Sequence, residues 1–249
     1  MAEEIVGGIH AVTAALRHDP LGVLELWVDR QRHDGKLQSL LSDAEQNGIS
    51  VQEVPRKTLD GMARGLRHQG VVARCKQRVT TLDESALNQL LDGLEAPPFL
   101  LILDGVTDPH NLGACLRSAD AAGIHAVIAP KDRAVGLTPV ARKVACGAAE
   151  SVPFVQVTNL ARTLRALQDR GVWLIGAAGE TKHQLYSTDL KGPLAVVMGA
   201  EEKGLRRITR EVCDLLVAIP MQGSVESLNV SVATGVLLFE ARRQRDAIA

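Results

Sequence analysis

The chain has 249 residues, 46% apolar and 23% charged, with a formal net charge of −1; that balance suits a globular protein with a sizeable core and argues against both a disordered chain and a basic protein that coats nucleic acid indiscriminately. Aromatic residues make up 2% and are scattered, which excludes the base-stacking platform of an RRM or an OB-fold. The longest apolar runs, 99–103 and 194–198, fall far short of the roughly 18 to 20 residues that cross a bilayer, and the acidic start Met1-Ala2-Glu3-Glu4 is no secretory signal. A cytoplasmic protein without a membrane partner is expected. Cys75, Cys115, Cys146 and Cys213 are isolated in sequence, so they predict reduced thiols, with neither a metal site nor a disulfide framework.

In chain order the apolar periodicity predicts a helix over 9–16, a strand over 24–28, a helix over 37–46 and a strand over 49–54. A short helix at 59–63 and a strand at 71–75 complete a small α/β unit, read here as domain 1–75. The polar stretch 76–98 holds one short helical pattern, 85–91, and ends in Pro97-Pro98; it reads as an inter-domain linker. From Phe99 to the C-terminus, 99–249, apolar strands (99–103, 126–129, 173–177, 194–198, 215–219) alternate with helices (112–122, 140–148, 160–168), as in a parallel sheet covered on both faces. A last helix starts near Leu228, where Leu228, Val232, Val236 and Phe239 recur at spacings of four, four and three and are expected to pack on the sheet.

Ligands of open α/β sheets bind beyond the carboxyl ends of strands. Three such loops carry candidate chemistry. The first, Asp104 to Gly113, leads into a helix bearing Arg117, with Pro109 suited to the first turn and Asn111 supplying an amide. The second, Gly199-Ala200-Glu201-Glu202-Lys203-Gly204, matches neither a dinucleotide fingerprint nor a Walker A loop. The third runs from Ile219-Pro220-Met221 to Ser227-Leu228-Asn229. Taken singly, each reads equally well as a tight turn or a helix cap.

Together, in order and spacing, these loops resemble the three motifs of the SpoU (TrmH) branch of the SPOUT RNA methyltransferases: Asn111-Leu112-Gly113 with Arg117, Val197-Met198-Gly199-Ala200-Glu201 with Gly204, and Ile219-Pro220-Met221 with Ser227-Leu228-Asn229-Val230. The N-terminal Gly7-Gly8-Ile9-His10-Ala11-Val12 and His68-Gln69-Gly70-Val71-Val72-Ala73 look like the small L30e-like RNA-binding domain of one subgroup, which methylates a guanosine in the peptidyl-transferase P-loop of 23S rRNA. The resemblance implies an α/β fold with a SPOUT-type α/β-knot (a deep trefoil knot, mostly parallel sheet), a homodimer, and S-adenosylmethionine held by Gly199, Ile219 and Leu228 through their backbone, with Met198, Met221 and Ser227 nearby. Strand-order rules would not suggest a knot.

Transfer to a ribose hydroxyl asks the protein mainly for in-line placement. A guanidinium keeps its proton at working pH and makes a poor base, so Arg117 is expected to grip the substrate phosphate and stabilise the developing alkoxide, with Asn111, Glu201 and Asn229 fixing its orientation. Between Arg56 and Arg78 seven basic residues face one acid, Asp60; within this stretch Arg64, Arg67, His68 and Arg74 are expected to contact RNA phosphates. The same catalytic domain would also serve an enzyme acting on tRNA or on another rRNA nucleotide. A non-catalytic RNA-binding assembly factor could keep the fold, but the intact Asn111, Arg117, Glu201, Ser227 and Asn229 speak against that.

Overall fold

The computed structural model describes residues 3–63, 65–76, 81–201 and 203–247. They form two units, Met1–Val79 and Thr80–Ala249. The first unit runs β1 (Glu3–Gly7), α1 (Ile9–His18), β2 (Val23–Asp29), α2 (Gly35–Gln46), β3 (Val51–Val54), α3 (Arg56–Met62) and β4 (Val71–Lys76). Its sheet has the order β1-β4-β2-β3, with β4 antiparallel to both β1 and β2 and β3 parallel to β2. Alternation along the strands divides the core: Leu26, Val28, Val71 and Ala73 meet Val12 and Leu16 of α1 and Leu37 and Leu40 of α2, whereas Trp27 and Val72 point the other way onto Leu59 of α3. β1 was not among the predicted elements, because Glu3 and Glu4 mask its pattern. Glu3 instead pairs at 3.0 Å with Arg74 on the neighbouring β4.

The second unit contains β5 (Thr81–Leu82), α4 (Glu84–Asp92), β6 (Phe99–Asp104), α5 (Pro109–Ala122), β7 (Ala126–Pro130), α6 (Pro139–Ala145), α7 (Ala148–Ser151), β8 (Phe154–Val157), α8 (Leu160–Asp169), β9 (Trp173–Ala177), β10 (Leu194–Gly199), α9 (Arg207–Val212), β11 (Leu215–Val217) and α10 (Val230–Asp246). The sheet order is β11-β9-β10-β6-β7-β8-β5, and its ladders are parallel. Both faces are covered, as such a sheet requires: Phe99, Leu101 and Leu103 of β6 point to the face that carries Leu112 and Leu116 of α5 and Leu237 and Leu238 of α10, while Leu100 and Ile102 point to Leu87 of α4 and Leu164 of α8.

Three expectations need correction. The stretch 76–98 is not a plain linker: β5 pairs with β8 as an outer strand, and α4, capped by Asp83, whose carboxylate accepts from Ala86 N at 2.9 Å, buries Leu87 and Leu91 on the large sheet. A two-residue strand is too short to show a period. The helix expected over 140–148 is broken, because Cys146 and Gly147 take left-handed conformations (φ 54° and 102°) between α6 and α7. Finally, α10 buries Val230, Thr234, Leu237, Leu238 and Ala241; of the predicted stripe only Val236 packs against the core, whereas Leu228, Val232 and Phe239 are 38%, 52% and 51% exposed. The helix carries two apolar stripes of similar spacing, and periodicity alone cannot choose between them.

Candidate active site

The carboxyl ends of β9, β10 and β11 enclose a cavity of about 720 Å³. Its tightest wall is Gly199, the last residue of β10. A Cβ there would run into the backbone of Gly204 and Leu205, because Ala200 and Gly204 exchange both backbone hydrogen bonds (3.0 and 2.9 Å) and so bring Gly204 back over the strand end. Gly204, at φ 62°, closes that turn. All six residues expected around the cofactor, Met198, Gly199, Ile219, Met221, Ser227 and Leu228, line this cavity.

The loop after β9 also lines it, through Ala177, Ala178, Gly179, Thr181 and Lys182, and sequence reasoning missed that loop. It pairs with the segment after β11, Ala218 N donating to His183 O at 2.8 Å and Leu185 N to Ala218 O at 2.9 Å. The signal was available: the strand-end rule applies to β9 as well, but Glu180, Lys182 and His183 in this loop form no recognisable motif. Strand-end backbone, apolar walls at Val217 and Ile219, and Lys182, Glu201 and Glu226 on the rim make a site of ordinary ligand-binding size. Backbone donors and acceptors, apolar walls and charged groups at the rim fit a nucleoside with a short charged tail, as S-adenosylmethionine is.

Three of the four expected catalytic residues are joined by hydrogen bonds. Asn111 Nδ2 donates to Glu201 Oε1 at 2.7 Å, and Asn229 Nδ2 donates to Asn111 Oδ1 at 3.0 Å. Asn229 also caps α10, its Oδ1 accepting from Ser231 N at 2.9 Å and Ser231 Oγ at 2.6 Å. Asn111 itself is set by the start of α5, where Asp108 accepts from His110 N at 2.9 Å; that bond and the His110 ring hold the Asp108 carboxyl below its usual range. Gly113, in the same motif, has a packing reason. A Cβ there would stand 2.7 Å from Val144 Cβ, so only glycine lets α5 and α6 approach this closely.

Arg117 is not part of that chain. It lies exposed in a separate groove of about 490 Å³ with Ala114, Ser118, Val144, Ser231, Val232, Gly235 and Val236. Its Nη1 is 3.9 Å from the Cys146 sulfur. Ser231 links the two places, since it lines this groove and bonds Asn229.

Of the residues expected to contact RNA, Arg67 is exposed and Arg64 lies outside the described residues. His68 is a correction. It is buried, with Nδ1 accepting from Gly70 N at 3.1 Å, so Nε2 carries the hydrogen and faces Asp60 Oδ1 at 2.8 Å; both nitrogens are spent on the fold. Arg74 is a second correction, being bracketed at 3.0 Å by Glu3 and by Glu25, which hold its charge within the sheet.

Residues 98–239 match the SpoU rRNA Methylase family. The chain belongs to that family. Residues 5–92 match a family described as RNA 2′-O ribose methyltransferase substrate binding, a match that runs through α4 and so past the boundary between the two units. The 23S rRNA (guanosine-2′-O-)-methyltransferase RlmB of Shewanella oneidensis is 60% identical over 243 residues, covering 98% of each chain. Its counterpart in Photobacterium profundum is 59% identical over 245 residues, covering 98% of this chain and 99% of that protein. Among solved structures, the SpoU methyltransferase AviRb from Streptomyces viridochromogenes, in complex with AdoMet, superposes with a TM-score of 0.77 at 26% identity, covering 98% of this chain and 91% of that one. The fold is therefore of the SPOUT α/β class, with an additional N-terminal α/β unit.

Proposed function

We propose that this chain transfers the methyl group of S-adenosylmethionine to the ribose 2′-hydroxyl of a guanosine in 23S rRNA, with the peptidyl-transferase P-loop as its target. The observation that carries the reading is the position of Glu201, which lines the glycine-cradled cavity and also ends the Asn229–Asn111–Glu201 hydrogen-bond chain. Bound in the cavity, the cofactor supplies a methyl group made electrophilic by its sulfonium. The chain's own residues do the rest. Gly199, Ile219 and Leu228 hold the adenosine through backbone groups, and Met198, Met221 and Ser227 close the wall around it. Arg117, a permanent cation, binds the phosphate beside the target ribose and stabilises negative charge as the hydroxyl loses its proton. Asn111, Glu201 and Asn229 fix the geometry, and placement of this kind supplies about 7 to 11 kcal/mol of a barrier.

The working form in this reading is a homodimer. The exposed stripe Val232 and Phe239 of α10, with exposed Val140 of α6, is the apolar face a second copy would cover, and Val232 lies in the same groove as Arg117. RNA docks on the first unit through exposed cations such as Lys57, Arg67 and Lys76, which contact phosphates without reading bases. Among the described residues no helix is long and apolar enough to cross a membrane, and an rRNA substrate places the protein in the cytoplasm. The test is to map 2′-O-methyl groups on 23S rRNA and tRNA from cells with and without the protein. Loss of a single guanosine modification in 23S rRNA supports the reading, and loss confined to tRNA replaces it.

A further inference from the structure

One fully buried carboxylate takes no part in the cavity wall or in the Asn111 chain. Asp104 ends β6, in register with Gly199 of β10, and is completely buried. Its Oδ2 accepts the backbone N–H of Arg206 at 3.0 Å. Its Oδ1 makes no hydrogen bond and lies 3.4 Å from Arg206 Nε. A carboxylate taken out of water is costly unless it is compensated, and among the described residues both of these compensating groups belong to Arg206.

Arg206 reaches further. Its Nη2 donates to Arg133 O at 3.3 Å, in the segment after β7, and passes over Gly105, where a Cβ would stand 3.1 Å away. One planar guanidinium thus ties together the ends of β6 and β7 and the loop that follows β10. That loop is the one folded over Gly199. The Ala200–Gly204 bonds fix its shape; where it sits is set by the Asn111–Glu201 bond, by Leu205 buried among the core side chains, and by Arg206, two residues beyond Gly204, which fastens it to the ends of β6 and β7. Arg206 does not itself line the cavity.

We propose that Asp104 and Arg206 form a latch that positions the backbone of Gly204 and Leu205 against Gly199 for the cofactor, which makes Arg206 a positioning residue for cofactor binding. The proposal rests on the reading of the cavity as the cofactor site. The test uses full-length Arg206→Ala, whose side chain is half-exposed, with its melting temperature checked. Calorimetry should show S-adenosylmethionine binding weakened on the order of tenfold, the Ala200 and Gly204 amides should exchange faster, and turnover at saturating cofactor should stay within about twofold of the parent. Arg206→Lys, which keeps a charge for Asp104 but loses the fork, should fall between, and Asp104→Asn should weaken binding in the same direction. Unchanged cofactor affinity in folded Arg206→Ala overturns the latch, as does a fall in turnover at unchanged affinity, which would put Arg206 on the RNA. Gly199→Val separates the two readings: if it binds cofactor normally the cavity assignment itself fails, whereas if it does not and Arg206→Ala does, only the latch fails.

Discussion

The cavity at the ends of β9 to β11 and the groove around Arg117 differ in what they are made of. The cavity is walled by strand-end backbone and small or apolar side chains, with Lys182, Glu201 and Glu226 at its rim, and its shape follows from positions such as Gly199 where no side chain fits. The groove between α5, α6 and α10 is lined by side chains on helix surfaces, with an exposed arginine and an exposed apolar stripe beside it. A single chain therefore shapes the first by folding, while on the proposed reading the second is finished by RNA or by a second copy lying against it.

Arg117→Ala should lower turnover by about 10² to 10³, the usual loss for one stabilising donor, and leave cofactor affinity within about twofold, because the arginine sits outside the cavity; parallel calorimetry and single-turnover kinetics check this, and weakened cofactor binding would merge the two sites. Gly199→Val should do the converse, weakening cofactor binding roughly 100-fold because the valine displaces backbone rather than a mobile side chain. Phe239→Asp tests the groove's other occupant. A charge on the exposed stripe should shift the chain to monomer in sedimentation and lower turnover about tenfold, with cofactor affinity retained; a variant that stays dimeric would move the interface elsewhere.

The smallest effect compares two arginines of the first unit. Arg67→Ala should weaken RNA binding a few-fold and reduce the salt slope by about one, whereas Arg74→Ala should leave the slope unchanged and cost stability instead. Equal slopes for the two variants would mean that the Glu3 and Glu25 pairing does not withhold Arg74 from RNA.

Those two residues also show where sequence reading stops. Gly199 at a strand end and Asn111 in a first helical turn were legible through the order and spacing of three motifs, since each loop alone reads equally well as a turn or a cap. Counting charges from Arg56 to Arg78 treats each as exposed, yet Arg74 is consumed by acids distant in sequence and His68 by the turn at Gly70. The buried face of α10 was misread for a related reason: two stripes were apolar, and only contact with α5 and β10 decides which one faces inward. The same applies to β5 and α4, whose place on the large sheet depends on a partner, β8, more than seventy residues away. It follows that a catalytic fragment cut at Ala96 would strip Leu87 and Leu91 from the core, whereas one cut at Thr80 keeps them; the shorter fragment should melt lower by thermal denaturation.

The sheet's outline has a consequence for the life of the chain before it reaches any RNA. Its central strands β6 and β10 are six residues each, but the outermost strands are β11 with three and β5 with two. Parallel sheets of this kind depend on contacts between distant parts of the chain and assemble slowly, with apolar strands open to other molecules meanwhile. Borders this short offer a neighbouring chain only a few backbone groups to copy, so an apolar sheet ends in margins too narrow to seed its own aggregation.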